Sequence, residues 1–143
     1  MHINNVVKLA AGHEHSLALT KTLELYVWGT GSLSGLAVEE NVCVPTHLDL
    51  TVKARSAAPL TPAVNKIVQI ACGGLHSAVV TVDGELFTWG SSEGGQLGLL
   101  TEEAKNEGSV RHPTRVESLV DTKLRIVQVS CGEAHTVVLT AED

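Results

Sequence analysis

Val6-Val7-Lys8-Leu9-Ala10-Ala11-Gly12-His13-Glu14-His15-Ser16-Leu17-Ala18-Leu19-Thr20 decides the fold, because the same phrase returns at residues 67–81 and again at 126–140. The shared pattern is Ile/Val-Val-Lys/Gln-x-Ala/Ser-Ala/Cys-Gly-x-x-His-Ser/Thr-x-x-Leu/Val-Thr, and the copies start 61 and then 59 residues apart. A period of that length marks one supersecondary unit that cannot bury its apolar faces alone and must stack on its neighbours.

The second unit shows what is stacked. Residues 67–71 alternate as a strand, and Cys72-Gly73-Gly74 breaks it. Residues 76–82 are β-branched and apolar and read as a buried second strand. Asp83-Gly84 predicts a two-residue type I′ turn, with positive φ at both positions. A third strand is expected at 85–89, a Gly-rich loop at 91–98 and a fourth strand at 113–119, with Pro113 as its first residue. The first unit repeats this order at 6–10, 15–20, 25–28 and 46–50, and the third stops at Asp143 after its second strand.

Four antiparallel strands per unit, repeated radially, predict an all-β fold of β-propeller blades: two full repeats plus part of a third, an incomplete propeller. A β-solenoid ranks below it, since its coils are usually shorter. The expected organisation is a single repeat domain over 1–143. The first repeat spans 1–65 with a long loop at 51–65, and the second spans 66–125 with a long loop at 91–112. The third begins over 126–143.

Composition narrows the function classes. Hydrophobic residues at 43% and charged residues at 18% exclude disorder as a whole-chain state, and aromatics at 3% leave a core of Val, Leu, Ile and Ala. The net charge of −6 argues against a DNA-binding surface, which needs clustered Lys and Arg, and leaves a basic partner such as a histone tail open. Residues 1–5 carry no basic signal region, and no apolar run approaches the roughly 18–20 residues of a membrane helix. Three cysteines, an odd number without a compact framework, point to a reducing intracellular compartment, cytoplasmic or nuclear.

The ordered string Gly73-Gly74-Leu75-His76-Ser77, Asp83-Gly84-Glu85-Leu86-Phe87-Thr88-Trp89-Gly90, Gly94-Gly95-Gln96-Leu97-Gly98, followed by Pro113 and Val116, resembles the regulator of chromosome condensation (RCC1-like) repeat family. The resemblance covers nearly the whole chain outside the two long loops. It implies a β-propeller, commonly of seven blades, that serves as an interaction platform, with guanine-nucleotide exchange or chromatin binding in some members. Two departures stand out: Leu23 occupies the place of the hairpin Gly84, and Ser32-Leu33-Ser34-Gly35-Leu36 is a degraded copy of the Gly-Gly-Gln-Leu region.

His15, His76 and His135 recur after Gly12, Gly73 and Gly132, and Trp28 and Trp89 recur before a glycine, Gly90 in the second copy. A residue repeated in a repeat protein usually repeats a structural job. Each His is expected to pin a blade by bonding a neighbouring carbonyl, and each Trp to wedge between blades. Cys72-x-x-x-His76 and Cys131-x-x-x-His135 invite zinc, but the first repeat has Ala11 in place of the cysteine and no Cys-x-x-Cys accompanies them. Ser77 lacks a nucleophile elbow, Gly94-Gly95 lacks the Lys-Ser/Thr of a phosphate loop, and His13-Glu14-His15 lacks metalloprotease spacing. No catalytic residue, metal or cofactor is expected.

Long loops on a repeat scaffold carry binding function. Lys53, Arg55, Glu93, Glu102, Glu103 and Arg111 are the candidate contact residues. The leading expectation is a protein–protein interaction scaffold, acting as a homo-oligomer or as part of a larger propeller. The alternatives are exchange on a small GTPase and histone binding.

Overall fold

The structure, a computed structural model, describes residues 3–120 and 123–142. Met1, His2, Asp121, Thr122 and Asp143, which fall inside the three expected repeats, lie outside the described residues.

Among the described residues, two four-stranded antiparallel sheets and one two-stranded sheet follow one another along the chain. The first holds β1 (Val6–Ala11), β2 (His15–Thr20), β3 (Leu25–Gly29) and β4 (Val42–His47) in sequential order. The second holds β5 (Ile67–Cys72), β6 (His76–Thr81), β7 (Leu86–Ser91) and β8 (Ser109–Arg115) in the same order. In the third, β9 (Leu124–Cys131) pairs with β10 (Thr136–Glu142). The chain is therefore a partial β-propeller, nearly all-β, with two complete blades and the inner half of a third.

The repeat reproduces its irregularities as well as its strands. A register shift passes over Val7 in β1, Val68 in β5 and Val127 in β9, so every blade opens with the same bulge. Two cores fill the seams. Leu17, Leu19, Val27 and Leu48 of the first blade meet Val79, Phe87 and Trp89 of the second. Ala78, Val80, Leu86 and Val116 of the second blade meet Ile126 and Val129 of the third. Phe87 and Leu86 enter opposite seams because successive strand residues face opposite ways. Each such fully buried side chain stabilises the stack by roughly 1.5–3 kcal/mol.

Three expectations are corrected. The fourth strands begin and end earlier than 46–50 and 113–119, at Val42–His47 and Ser109–Arg115. Pro113 sits inside its strand at a register break, where the ladder needs no N–H, rather than opening it, and Pro45 lies at the matching break in the first blade. The chain then leaves the sheet, with Leu48 N bonding to Leu25 O at 2.9 Å and Val116 N to Leu86 O at 3.0 Å. The Asp83-Gly84 turn has positive φ only at Gly84 (+81°). Gly84 N bonds to Thr81 O and Thr81 N to Glu85 O, which is a type I turn closed by a glycine bulge, not type I′. Leu23 takes that left-handed place in the first blade at φ +67°.

The 51–65 segment is not simply an exposed loop. α1 (Leu50–Lys53) is capped by Asp49, whose side chain accepts from Thr51 N at 2.9 Å. Asn65 ties the two ends together: its Oδ1 accepts from Leu50 N at 2.6 Å and its Nδ2 donates to Asp49 Oδ1 at 2.7 Å. Leu50 and Val64 thereby enter the first core, leaving the tip around Ala57 to Pro59 exposed.

Candidate interaction surface

The recurring histidines lie at the inner hub. Each Gly-x-x-His closes a tight turn, with Gly12 N, Gly73 N and Gly132 N bonding to the His carbonyl at 2.9, 2.8 and 2.9 Å. A side chain on any of these glycines would collide with the imidazole of its own turn, so the Gly and the His are one device. His15 Nε2 donates to His76 O of the next blade at 3.1 Å. His76 Nε2 meets Thr136 Oγ1 at 2.9 Å, and Thr136 Oγ1 donates its proton to Gln96 O at 2.8 Å, so the His76 N–H is the donor. In both rings Nδ1 is buried without a partner. Burial holds the His15 and His76 pKa values below 6.5, against the partial support of their hydrogen bonds. His135 is exposed.

Trp89 is fully buried and its Nε1 donates to Leu33 O of the first blade at 3.1 Å. Trp28 stands at the same position on the opposite side of the first blade, half-buried in an open cavity of about 260 Å³ with Leu9 and Leu17. Gly90, at φ +106°, follows Trp89 where the backbone must pass against Leu75 O.

The outer rim joins the two long loops. Arg55 forms a parallel bridge to Thr114, with Arg55 N donating to Pro113 O at 2.8 Å and Arg115 N donating to Arg55 O at 2.9 Å. The insertion of the first blade thus covers the outer edge of the second. His112 Nδ1 donates to Lys53 O at 3.1 Å, and Ala57 N donates to Glu117 Oε1 at 2.8 Å. The Arg55 guanidinium lies 3.6 Å from Glu103, and Arg111 forks onto Glu39. That hydrogen bond and its charge hold Glu39 below, and Arg111 above, their ordinary ranges. Lys53, Arg55, Glu103 and Arg111 therefore share one surface. Glu102 pairs within α2 (Glu102–Asn106), with Lys105 at 3.6 Å, and Glu93 packs beside Gly108.

Glu39 and Glu117 were not among the sequence candidates. Each meets its partner from a different blade or loop, 72 and 60 residues away, and no local pattern announces such a pair. Beneath the rim, burial and competing charges act on Arg115: burial works against its charge, but Glu117 and Glu85 outweigh it and keep the guanidinium above its usual range.

All three cysteines are free thiols. Cys72 Sγ faces Ser77 Oγ at 3.9 Å, and burial pushes its pKa up to about 12. No group of three or more His, Cys, Asp or Glu among the described residues is placed to hold a metal ion. No helix among the described residues is long and apolar enough to cross a membrane.

Comparison with known proteins agrees with this architecture. Two models of the regulator of chromosome condensation (RCC1) repeat match residues 83–139 and 67–96. The chain is 37% identical over 139 residues to the probable E3 ubiquitin-protein ligase HERC4 of Rattus norvegicus, covering 96% of this chain and 12% of that protein. It is 30% identical over 166 residues to the human RCC1 domain-containing protein 1, covering 96% of this chain and 43% of that one. The crystal structure of Prp20p from Saccharomyces cerevisiae, described together with its binding to Gsp1p and histones, superposes with a TM-score of 0.77 at 24% identity, over 100% of this chain and 33% of that one. The chain thus spans less than half the length of each of these relatives. From its repeated sequence, its blades and these matches, the chain belongs to the RCC1 repeat family.

Proposed function

We propose that this chain is a non-enzymatic protein–protein interaction scaffold whose contact surface is the outer rim built by residues 51–65 and 91–112. One observation carries the reading: irregular segments from two successive blades converge on a single edge, joined by the Arg55–Thr114 bridge and the Arg55–Glu103 pair. Lys53, Arg55, Glu103 and Arg111 are the contact residues there, with Glu93 and Glu102 at its border. The partner is a protein met inside the cell, in cytoplasm or nucleus, and the net charge of −6 favours one with a basic segment, a histone tail among them. Partner capture by the full chain should fall at least tenfold in an Arg55→Glu/Arg111→Glu double variant that keeps its fold. Unchanged capture of every partner removes the reading.

Family membership carries a second reading of the same scaffold, as an exchange factor for a small GTPase. A panel measuring nucleotide release separates the two, since a scaffold leaves the release rate unaltered. DNA binding is tested by gel shift at low salt, where a phosphate-driven complex must weaken steeply as salt rises.

A further inference from the structure

The tip of the first insertion reads Ala57-Ala58-Pro59-Leu60-Thr61-Pro62. Of the four prolines in the chain, Pro45 follows Val44, Pro59 follows Ala58 and Pro113 follows His112; only Pro62 follows a hydroxyl residue. We propose that Thr61 is a phosphorylation site for a proline-directed protein kinase, presented on a tethered loop as Pro59-Leu60-Thr61-Pro62.

The local chemistry sets the shape that a kinase groove takes. Proline disfavours helix at the residue before it, so Ala58 and Thr61 are both driven towards extended backbone. Thr61 is extended, at φ −90° and ψ 160°. Successive residues of an extended segment face opposite ways. Leu60 accordingly turns inwards against the first core, while Pro59 and Thr61 on either side of it are exposed. Among the described residues, no protein group accepts from the N–H of Ala58, Leu60 or Thr61, and the Thr61 hydroxyl caps nothing. The backbone is thus free to bond along a groove, and the hydroxyl is free to react.

The loop is also held at both ends. Arg55 bonds to Pro113 and Arg115 on one side, and Asn65 is clamped to Leu50 and Asp49 on the other. Part of the ordering cost of binding is therefore met before a kinase arrives. Pro62 supplies the discrimination. It carries no N–H, so a groove with no acceptor at that place takes proline and leaves the donor of any other residue unsatisfied.

In the transfer, Thr61 Oγ1 attacks the γ-phosphorus of ATP. The Oγ1–P bond forms as the bond to the β,γ-bridging oxygen breaks, ADP leaves, and the hydroxyl proton passes to a kinase carboxylate. The product carries about −1.5 to −2 charges at pH 7. Thr61 points away from the core, so the fold tolerates them. A phosphate fixed on a tethered loop is an epitope for an arginine-lined pocket. Ser56 is the poorer acceptor, although Lys53 and Arg55 precede it as a basic-directed kinase would require. Its hydroxyl donates to Ala58 O, and Arg55 beside it is locked into the bridge with Thr114. Phosphorylation needs no partner at the rim, so either proposal can fail without the other.

The test incubates the folded full chain with ATP and an active mitogen-activated protein kinase, beside the capped peptide Ala-Ala-Pro-Leu-Thr-Pro-Ala, and maps phosphate by peptide mass spectrometry. About one phosphate per chain is expected, on Thr61, with the near-UV circular dichroism of the unmodified chain retained. Thr61→Val should abolish incorporation and Thr61→Ser should keep it. Pro62→Ala should slow it at least about tenfold, in the chain and in the peptide alike, so that a loosened loop cannot imitate lost recognition. The proposal is overturned if the folded chain stays unmodified, whether or not the peptide reacts. It is equally overturned if the phosphate maps to Ser56 or elsewhere, or if Pro62→Ala reacts at the parent rate.

Discussion

Trp89 Nε1 and Leu33 O are bonded at 3.1 Å across the seam between two blades, while the matching Trp28 faces an open cavity. The same residue at the same repeat position thus has two energetic roles. Trp89→Ala should lower unfolding free energy by about 3–5 kcal/mol, since it empties a fully buried site and orphans a carbonyl. Trp28→Ala should cost about 1 kcal/mol or less. Urea denaturation of both variants checks the contrast; equal losses would mean that Trp28 is as well packed as Trp89.

Acid should act first through the hub. His15 and His76 have folded-state pKa values held below 6.5 by burial, so the unfolded chain takes up protons before the folded one. Their contribution is complete above the unfolded value and fades as pH falls through the lowered folded values. Glu39, Asp49 and Glu117, also lowered from their ordinary values, add their own losses only in the carboxylate range. The urea midpoint should therefore decline between about pH 6.5 and pH 5, and His15→Gln should flatten that decline. A midpoint constant across this window would contradict the neutral hub.

Thiol labelling should separate the cysteines. Cys43 is exposed, whereas Cys72, with a pKa pushed up to about 12, keeps almost no thiolate at neutral pH. Iodoacetamide at neutral pH should modify Cys43 first and Cys72 only on unfolding, as read by peptide mass mapping. Equal rates would refute the burial of Cys72.

The hairpin position should answer oppositely in the two blades. A Cβ at Gly84 would meet Arg125 Cβ at 2.7 Å and sit at φ +81°, so Gly84→Ala should destabilise by about 1–3 kcal/mol. Leu23 already bears the left-handed strain at φ +67°, and Leu23→Gly should be neutral or stabilising by up to about 1 kcal/mol. Thermal melting of the two single variants measures both signs.

These cases also show how far the chain could be read before folding. The Gly-x-x-His phrase announced the blades because its constraint is local: each glycine makes room for the imidazole three residues on. Pro113 misled the placement of the fourth strand, since a proline tolerated at a register break looks, in sequence, like one that opens a strand. The Arg55–Thr114 bridge and the Arg111–Glu39 pair were illegible for a different reason. They depend on where one blade's insertion falls over the next blade, and nothing near either residue encodes that. The excess length of residues 51–65 and 91–112 is visible in the sequence, but their convergence belongs to the tertiary arrangement.

At the hub, His13 N donates to Gly74 O at 2.9 Å, and Gly74 N donates to Glu133 O at 3.0 Å. In these two hub bonds the first blade gives to the second and the second to the third, while at the hairpin turns the direction is opposite, Ile67 N donating to Leu23 O at 3.0 Å and Ile126 N to Gly84 O at 3.1 Å. The stack therefore has a head and a tail, and its two ends are chemically unlike. A blade can join only in one orientation, so contacts between blades are heterologous and any completed circle must close by rotation rather than by a two-fold axis.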